Sequence, residues 1–194
     1  MAIDPSRFDL HNVTDTCAVW NVLSSRVLYS TAYSVGCSFC LTQFVYYECL
    51  FKPRSNPTEE ELELQERLRR ESAKGGFSLF NLDIDDLQDV ELLENRRRLS
   101  KGELSSIAFA KKTNQAFLTD DQKARKLATE VMDSSKVQTT PHLFGWLCFT
   151  SRLGDGDKDA ICKEHIKFNR PLAKYFEIMY QEALRCRLMA HKPC

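Results

Sequence analysis

The chain has 194 residues, enough for one domain with a substantial core. Hydrophobic residues make up 43% and charged residues 28%, ordinary proportions for a soluble globular protein. The 27 basic and 27 acidic side chains cancel, so global charge advertises no nucleic-acid partner and local basic clusters must be judged on their own. No apolar run reaches the ~18 residues of a membrane-spanning helix. Met1–Leu10 lacks the apolar stretch of a signal peptide, so the expectation is a cytoplasmic protein with no membrane partner.

Val13–Cys17 reads as a first short strand with Asp15 near its end. From Ala18 to Ser34, Val19, Val22, Leu23, Val27 and Leu28 recur at helical spacing, which predicts one helix closed by Gly36. Ser38–Thr42 is a second strand and Gln43–Phe51 a helix carrying Glu48; Pro53 and Pro57 punctuate the loop after it. Thr58–Lys74 is the clearest helix, because Thr58 and Glu61 make a capping box, acids crowd its first turns and Arg67, Arg69, Arg70 and Lys74 its last. Few of its residues are apolar, so the charged segment 53–76 reads as a solvated helical insertion, or an arm covered by a partner.

Phe77–Ile84 fits a central strand, and Asp85–Leu99 a short acidic helix ending in Arg96, Arg97 and Arg98. Ser100–Lys112 is amphipathic, with Leu104, Ile107, Ala108 and Phe109 facing inward. Ala116–Thr119 is a four-residue strand, Asp121–Val131 a helix, Val137–Thr140 a last short strand, and Pro141 opens a helix to Leu153. Asp155–Asp159 reads as a polar turn, and Ile161–Met189 as one or two helices broken near Pro171, within a helical C-terminal extension over 155–194. Short strands alternating with helices predict an α/β domain around a mostly parallel sheet.

Eight cysteines stand at Cys17, Cys37, Cys40, Cys49, Cys148, Cys162, Cys186 and Cys194. Cys37 and Cys40 form a CxxC pair, but a structural zinc site needs four ligands and no second pair follows, so the cysteines read as small buried hydrophobes. The four histidines sit in no local signature that would activate a cysteine nucleophile. No P-loop, GxGxxG or GxSxG pattern occurs, and the acidic run after Leu153 lacks the spacing of a calcium loop.

The carboxylates are the informative feature. Asp15 lies at the predicted end of the first strand, and Asp120 and Asp121 at the end of a later one; Glu48 and Glu103 come from flanking helices. The carboxyl ends of parallel strands form the ligand crevice of such sheets. Acids meeting there would hold a hard divalent cation through oxygen. A cation in that position can stabilise charge on a phosphate and lower the pKa of a bound water. Each acid also has a purely structural reading. Glu103 completes an S-x-x-E capping box with Ser100. Asp120 can cap the helix that starts at Asp121, and Asp121 suits that helix's positive end. Asp15 can cap the helix after it, and Glu48 can be a surface residue.

The joint pattern resembles the PIN-domain nuclease family, closest to the small toxin-type PIN proteins of prokaryotes. The passages that carry it are VTDTCAVWNVL, TQFVYYECL, LSKGELSSIAFAKKTNQAFLTDDQKARKLA and VQTTPHLFGWL, and the resemblance covers roughly Val13 to Leu153. The resemblance implies a three-layer α/β/α fold and a Mg2+- or Mn2+-dependent endoribonuclease. By matched position, the catalytic acids would be Asp15, Glu48, Glu103 and Asp121, with Asp15, Glu103, Asp120 and Asp121 on the metal. Thr16 and Thr119 would be hydroxyls supporting the acids. Arg98, Lys101, Lys123 and Arg125, close to the acids, would meet RNA phosphates. The family further implies RNA as substrate, an antitoxin or regulatory protein as partner, and homodimers. The alternative is a catalytically inactive module of the same fold that binds other proteins.

Overall fold

The computed structural model describes residues 4–94 and 99–190. The elements run β1 (His11–Thr14), α1 (Thr16–Ser24), α2 (Arg26–Ser34), β2 (Ser38–Thr42), α3 (Gln43–Leu50), α4 (Glu59–Ala73), β3 (Phe77–Phe80), α5 (Ile84–Glu94) and α6 (Lys101–Thr113). They continue with β4 (Ala116–Leu118), α7 (Gln122–Val131), β5 (Val137–Gln138), α8 (Thr140–Phe149), α9 (Asp155–Lys167) and α10 (Ala173–Ala190). No helix among the described residues is long and apolar enough to cross a membrane.

The five strands are all parallel, in the order β3-β2-β1-β4-β5. β1 is central: Val13 stands opposite Cys40 of β2 on one side and Phe117 of β4 on the other. Alternate strand residues feed two cores, as the two-residue period of a strand requires. Val13 and Phe117 pack with Val90 and Leu93 of α5, Leu104 and Ile107 of α6, and Leu127 of α7. Phe39, Leu41, Phe77 and Leu118 pack on the opposite face with α1 to α4 and α8 to α10. The fold is therefore the expected three-layer α/β/α sandwich around a parallel sheet.

Five local expectations need correcting. The helix predicted over Ala18–Ser34 is two helices, because Ser25 leaves helical geometry and its hydroxyl accepts from the Leu28 amide while donating to Glu164 at 2.6 Å. The strand predicted to Ile84 ends at Phe80 and is an edge strand, paired only with β2 and exposing Ser78, Leu79 and Phe80. Asp155–Asp159 is the first turn of α9, where acids meet the positive end of the helix and Asp157 accepts from the Gly154 amide. Asp121 caps α7, so Asp120 is released for other work.

The fifth correction concerns α4. Its capping box is formed as expected, but the helix is the crossover that carries the chain from β2 to β3, and Leu64, Gln65, Arg67 and Leu68 are buried. Charge density misled because the inner face is narrow and one of its occupants is an arginine. Arg67 donates to the Leu23 and Ser24 carbonyls at 2.7 and 3.2 Å, pairs with Glu63 at 2.6 Å and lies over the Phe168 ring. Those carbonyls end α1 and have no helical partner of their own. Arg67→Ala is expected to destabilise the fold by about 2–4 kcal/mol, since it orphans two buried carbonyls and removes packing. Chemical denaturation checks this, and a loss below ~0.5 kcal/mol, the size of an ordinary surface substitution, would contradict it.

Candidate functional site

The strand order places the site. β2 and β3 lie on one side of β1, β4 and β5 on the other, so the chain reverses its direction of spread between β1 and β4. Crevices form at the carboxyl ends of strands at such a reversal. Asp15 leaves β1 and Thr119, Asp120 and Asp121 leave β4 at this point.

Asp15 is fully buried. Its extended backbone makes it the cap of α1: Oδ1 accepts from the Ala18 amide at 2.8 Å, and Oδ2 accepts from the Thr119 hydroxyl at 2.5 Å. Thr119 Oγ1 accepts in turn from the Asp121 amide at 3.1 Å. Asp121 caps α7, with Oδ1 receiving the Lys123 and Ala124 amides. Asp120 turns the other way. It accepts from Asn21 Nδ2 at 2.7 Å, from the Thr140 amide at 2.9 Å and from the Thr140 hydroxyl at 2.5 Å, tying β4 to α1 and to the first residue of α8.

Glu48 and Glu103 approach from α3 and α6. Glu48 Oε2 accepts from Thr16 Oγ1 at 2.6 Å and Oε1 from the Gly102 amide at 3.2 Å, at the positive end of α6. Gly102 is needed for this approach: a Cβ there would stand 2.5–3.0 Å from the Glu48 carboxylate atoms. Glu103 closes the capping box of α6, its Oε2 accepting from the Ser100 amide at 2.7 Å. A cleft of about 570 Å³ opens beside Glu48, lined by Phe44, Tyr47, Lys52, Ser100 and Lys101.

The electrostatics follow from burial. Desolvation pushes the Asp15 carboxyl up to about 7, the charges of Asp120 and Glu103 add to that, and the bonds from Thr119 and Ala18 oppose it. Glu103 is also raised, first by burial and then by Asp121 and Glu48, against its bond from Ser100. The Cys17 thiol is pushed up to about 12 by burial and by Asp15, Asp120 and Asp121. It is no nucleophile at neutral pH. The described cysteines are all free thiols: Cys37, Cys49 and Cys148 are buried as expected of small hydrophobes, whereas Cys17, Cys40, Cys162 and Cys186 are only partly so, and burial pushes Cys37 and Cys40 up to about 12 and 11.

The five predicted acids thus lie at the carboxyl end of the sheet; Thr119 donates to Asp15, while Thr16, expected beside Asp15, donates to Glu48. Three of the structural readings hold as well, since Asp15, Asp121 and Glu103 all cap helices, whereas Asp120 caps none and Glu48 is held by Thr16 and Gly102. Among the described residues, no three His, Cys, Asp or Glu side chains form a preformed ligand group. Glu48 and Asp120 are turned onto protein donors, while Asp121 Oδ2 and Glu103 Oε1 carry no hydrogen bond from the described residues. The donor chemistry fits Mg2+ or Mn2+, because all five are hard oxygen ligands, with Asp15 fully buried and the other four partly exposed. Of the predicted RNA contacts, Lys101 and Lys123 are exposed in the first turns of α6 and α7 and Arg125 is half-buried; Arg98 lies outside the described residues. Asn21, Gly102 and Thr140 were not expected to take part. Only Thr140 had a signal, as the second threonine before Pro141 where a strand enters a helix.

Asp15 carries a pH signature. A carboxyl raised from 3.8 to about 7 holds its proton in the folded chain after the unfolded chain has lost it, so stability falls as pH rises through that window. Asp15→Asn keeps an oxygen for Ala18 and an amide for Thr119 without the charge, and is expected to stabilise the cation-free fold at pH 8 by on the order of 2–4 kcal/mol. Its thermal midpoint should exceed the wild type's at pH 8 and match it at pH 4; a lower midpoint at pH 8 would contradict the buried charge. Gly102→Ala is expected to drive Glu48 off Thr16 while costing the fold about 1 kcal/mol or less, because the atoms in the way end a flexible side chain. A crystal structure of the variant that keeps the Thr16–Glu48 bond would contradict this.

Comparison with known proteins adds no relative: no family model, no curated protein and no solved structure matches this chain at a significant level.

Proposed function

We propose that this chain is a Mg2+- or Mn2+-dependent endoribonuclease. The observation that carries the reading is the convergence of acids from the ends of β1 and β4 and from α3 and α6 at the reversal of the sheet, with Asp15 fully buried among them. A buried carboxylate among further acids is costly to charge without a compensating cation. A bound divalent cation would stabilise negative charge on a phosphate and generate a nucleophile from water near neutral pH.

The chain's own groups have distinct tasks in this reading. Asp15, Glu103 and Asp121 would hold the ion, with Asp120 completing the negative edge from its bonds to Asn21 and Thr140. Thr119 fixes the Asp15 carboxyl and Thr16 fixes Glu48. Glu48, which lines the cleft, would orient an attacking water and take its proton. Lys101, Lys123 and Arg125 would offset the repulsion between acids and a polyanion. A toxin role, an antitoxin and a homodimer are supported by the family resemblance alone.

The inactive interaction module is the second reading. It is favoured by the way Glu48, Asp120 and Glu103 spend oxygens on protein donors rather than on a ready cage. Incubation of purified chain with a mixed RNA and tRNA pool separates the two. The nuclease reading expects cutting that requires Mn2+ or Mg2+ and falls at least about a hundredfold in both Asp15→Asn and Asp121→Asn. Cutting that survives both substitutions would sink this site, and no cutting by folded wild type would favour the interaction module.

A further inference from the structure

Two arginines that the acid site does not use stand at its rim. Arg54 lies in the loop between α3 and α4, and Arg170 in the link between α9 and α10. Arg54 donates to Glu61 at 2.9 Å and, at 3.5 Å, to the carbonyl of Glu48, with its guanidinium over the Trp20 ring. Arg170 is half-buried, and its Nε is shut from solvent with no hydrogen-bond partner; no ion pair or side-chain hydrogen bond engages it among the described residues.

The ionisable groups whose charge is felt at Arg170 are Cys17, Glu61, Arg54 and Cys49. Both thiols are held protonated by burial. Glu61 is already engaged, with one oxygen on Arg54 and the other on the Thr58 amide of its capping box. That carboxylate has no oxygen left for Arg170. Arg170 and the acids Asp15, Asp120 and Asp121 thus act on one residue of α1, Cys17, while Arg54 reaches the site through the Glu48 carbonyl.

A partly desolvated guanidinium with unmet donors is unfavourable unless an acceptor arrives. Its planar fork matches a phosphate diester, which two arginines can grip through several charge-assisted hydrogen bonds. We propose that Arg170 and Arg54 form a clamp for a backbone phosphate of a single-stranded RNA, next to the phosphate that the acid site cleaves. The proposal rests on the nuclease reading. It gives a task to two segments outside the sheet, the loop after α3 and the α9–α10 link. It also explains how a polyanion approaches a cluster of carboxylates.

The test measures anisotropy of a fluorescein-labelled single-stranded RNA with the full chain, with Ca2+ in place of Mn2+, across a salt series. Arg170→Ala and Arg54→Ala should each weaken binding roughly tenfold and flatten the log K against log salt slope by ~0.7 for each phosphate no longer neutralised. Arg170→Lys should restore part of the affinity, because it keeps the charge and loses the fork. The rise in thermal midpoint caused by Mn2+ should be unchanged in all three, since none of them holds the ion. If wild type binds RNA and both alanine variants bind equally well, the clamp is overturned and the nuclease reading stands. If wild type binds no RNA, both fall. Should Arg170→Ala fail to fold, Arg170→Lys and Arg54→Ala decide.

Discussion

The Asp15 carboxyl group ties the end of β1, the start of α1 and the end of β4 together, out of reach of solvent. Burial of a carboxylate is tolerated only when donors meet it, and here the Ala18 amide and the Thr119 hydroxyl do so. Thr119 passes the connection on to the Asp121 amide, and Asp121 caps α7. One side chain therefore sets the launch angle of α1 and, through two further bonds, the turn into α7. The residual strain is electrostatic: Asp15 cannot readily be charged because it is buried, and the charges of Asp120 and Glu103 add to that. A place that is geometrically rigid and electrostatically unsettled is where a cation-dependent activity would be built.

The same edge is braced by the second half of the chain. Asn21 donates from its side chain to Asp120, and its backbone carbonyl meets His165 Nε2 of α9 at 2.9 Å. Glu164, the neighbour of His165, receives the Ser25 hydroxyl that separates α1 from α2. Phe176 of α10 packs on Phe144 of α8 and on the His165 ring. The C-terminal helices thus hold α1 against the sheet from outside, and α1 presents Asp15 and Thr16 to the site from inside. They are continuous with the core and complete it.

Much of this was legible in the sequence because it is local. The capping boxes at Thr58/Glu61 and Ser100/Glu103 are four-residue patterns, and both form as written. Apolar spacing in Ser100–Lys112 named the inner face of α6 correctly. What was hidden depends on partners distant in the chain. The break at Ser25 needs Glu164, 139 residues away, and the burial of Arg67 needs the carbonyl ends of α1. Asp120 could not be distinguished from a helix cap until Thr140 and Asn21 were seen around it. Gly102 looks like an ordinary poor helix former, yet the absence of its Cβ is what lets Glu48 reach α6. Neither Arg54 nor Arg170 sits in a basic run, so no compositional signal marks them.

The central claim is that the acids at the carboxyl ends of β1 and β4 hold a divalent cation. Anomalous diffraction from crystals grown in Mn2+ tests it directly. The account predicts a manganese peak about 2.0–2.6 Å from oxygens of Asp15 and Asp121, with Glu103 turned toward it from its capping position. Manganese bound elsewhere, with Asp15 still enclosed by Ala18 and Thr119 alone, would contradict it and leave the acids as helix caps.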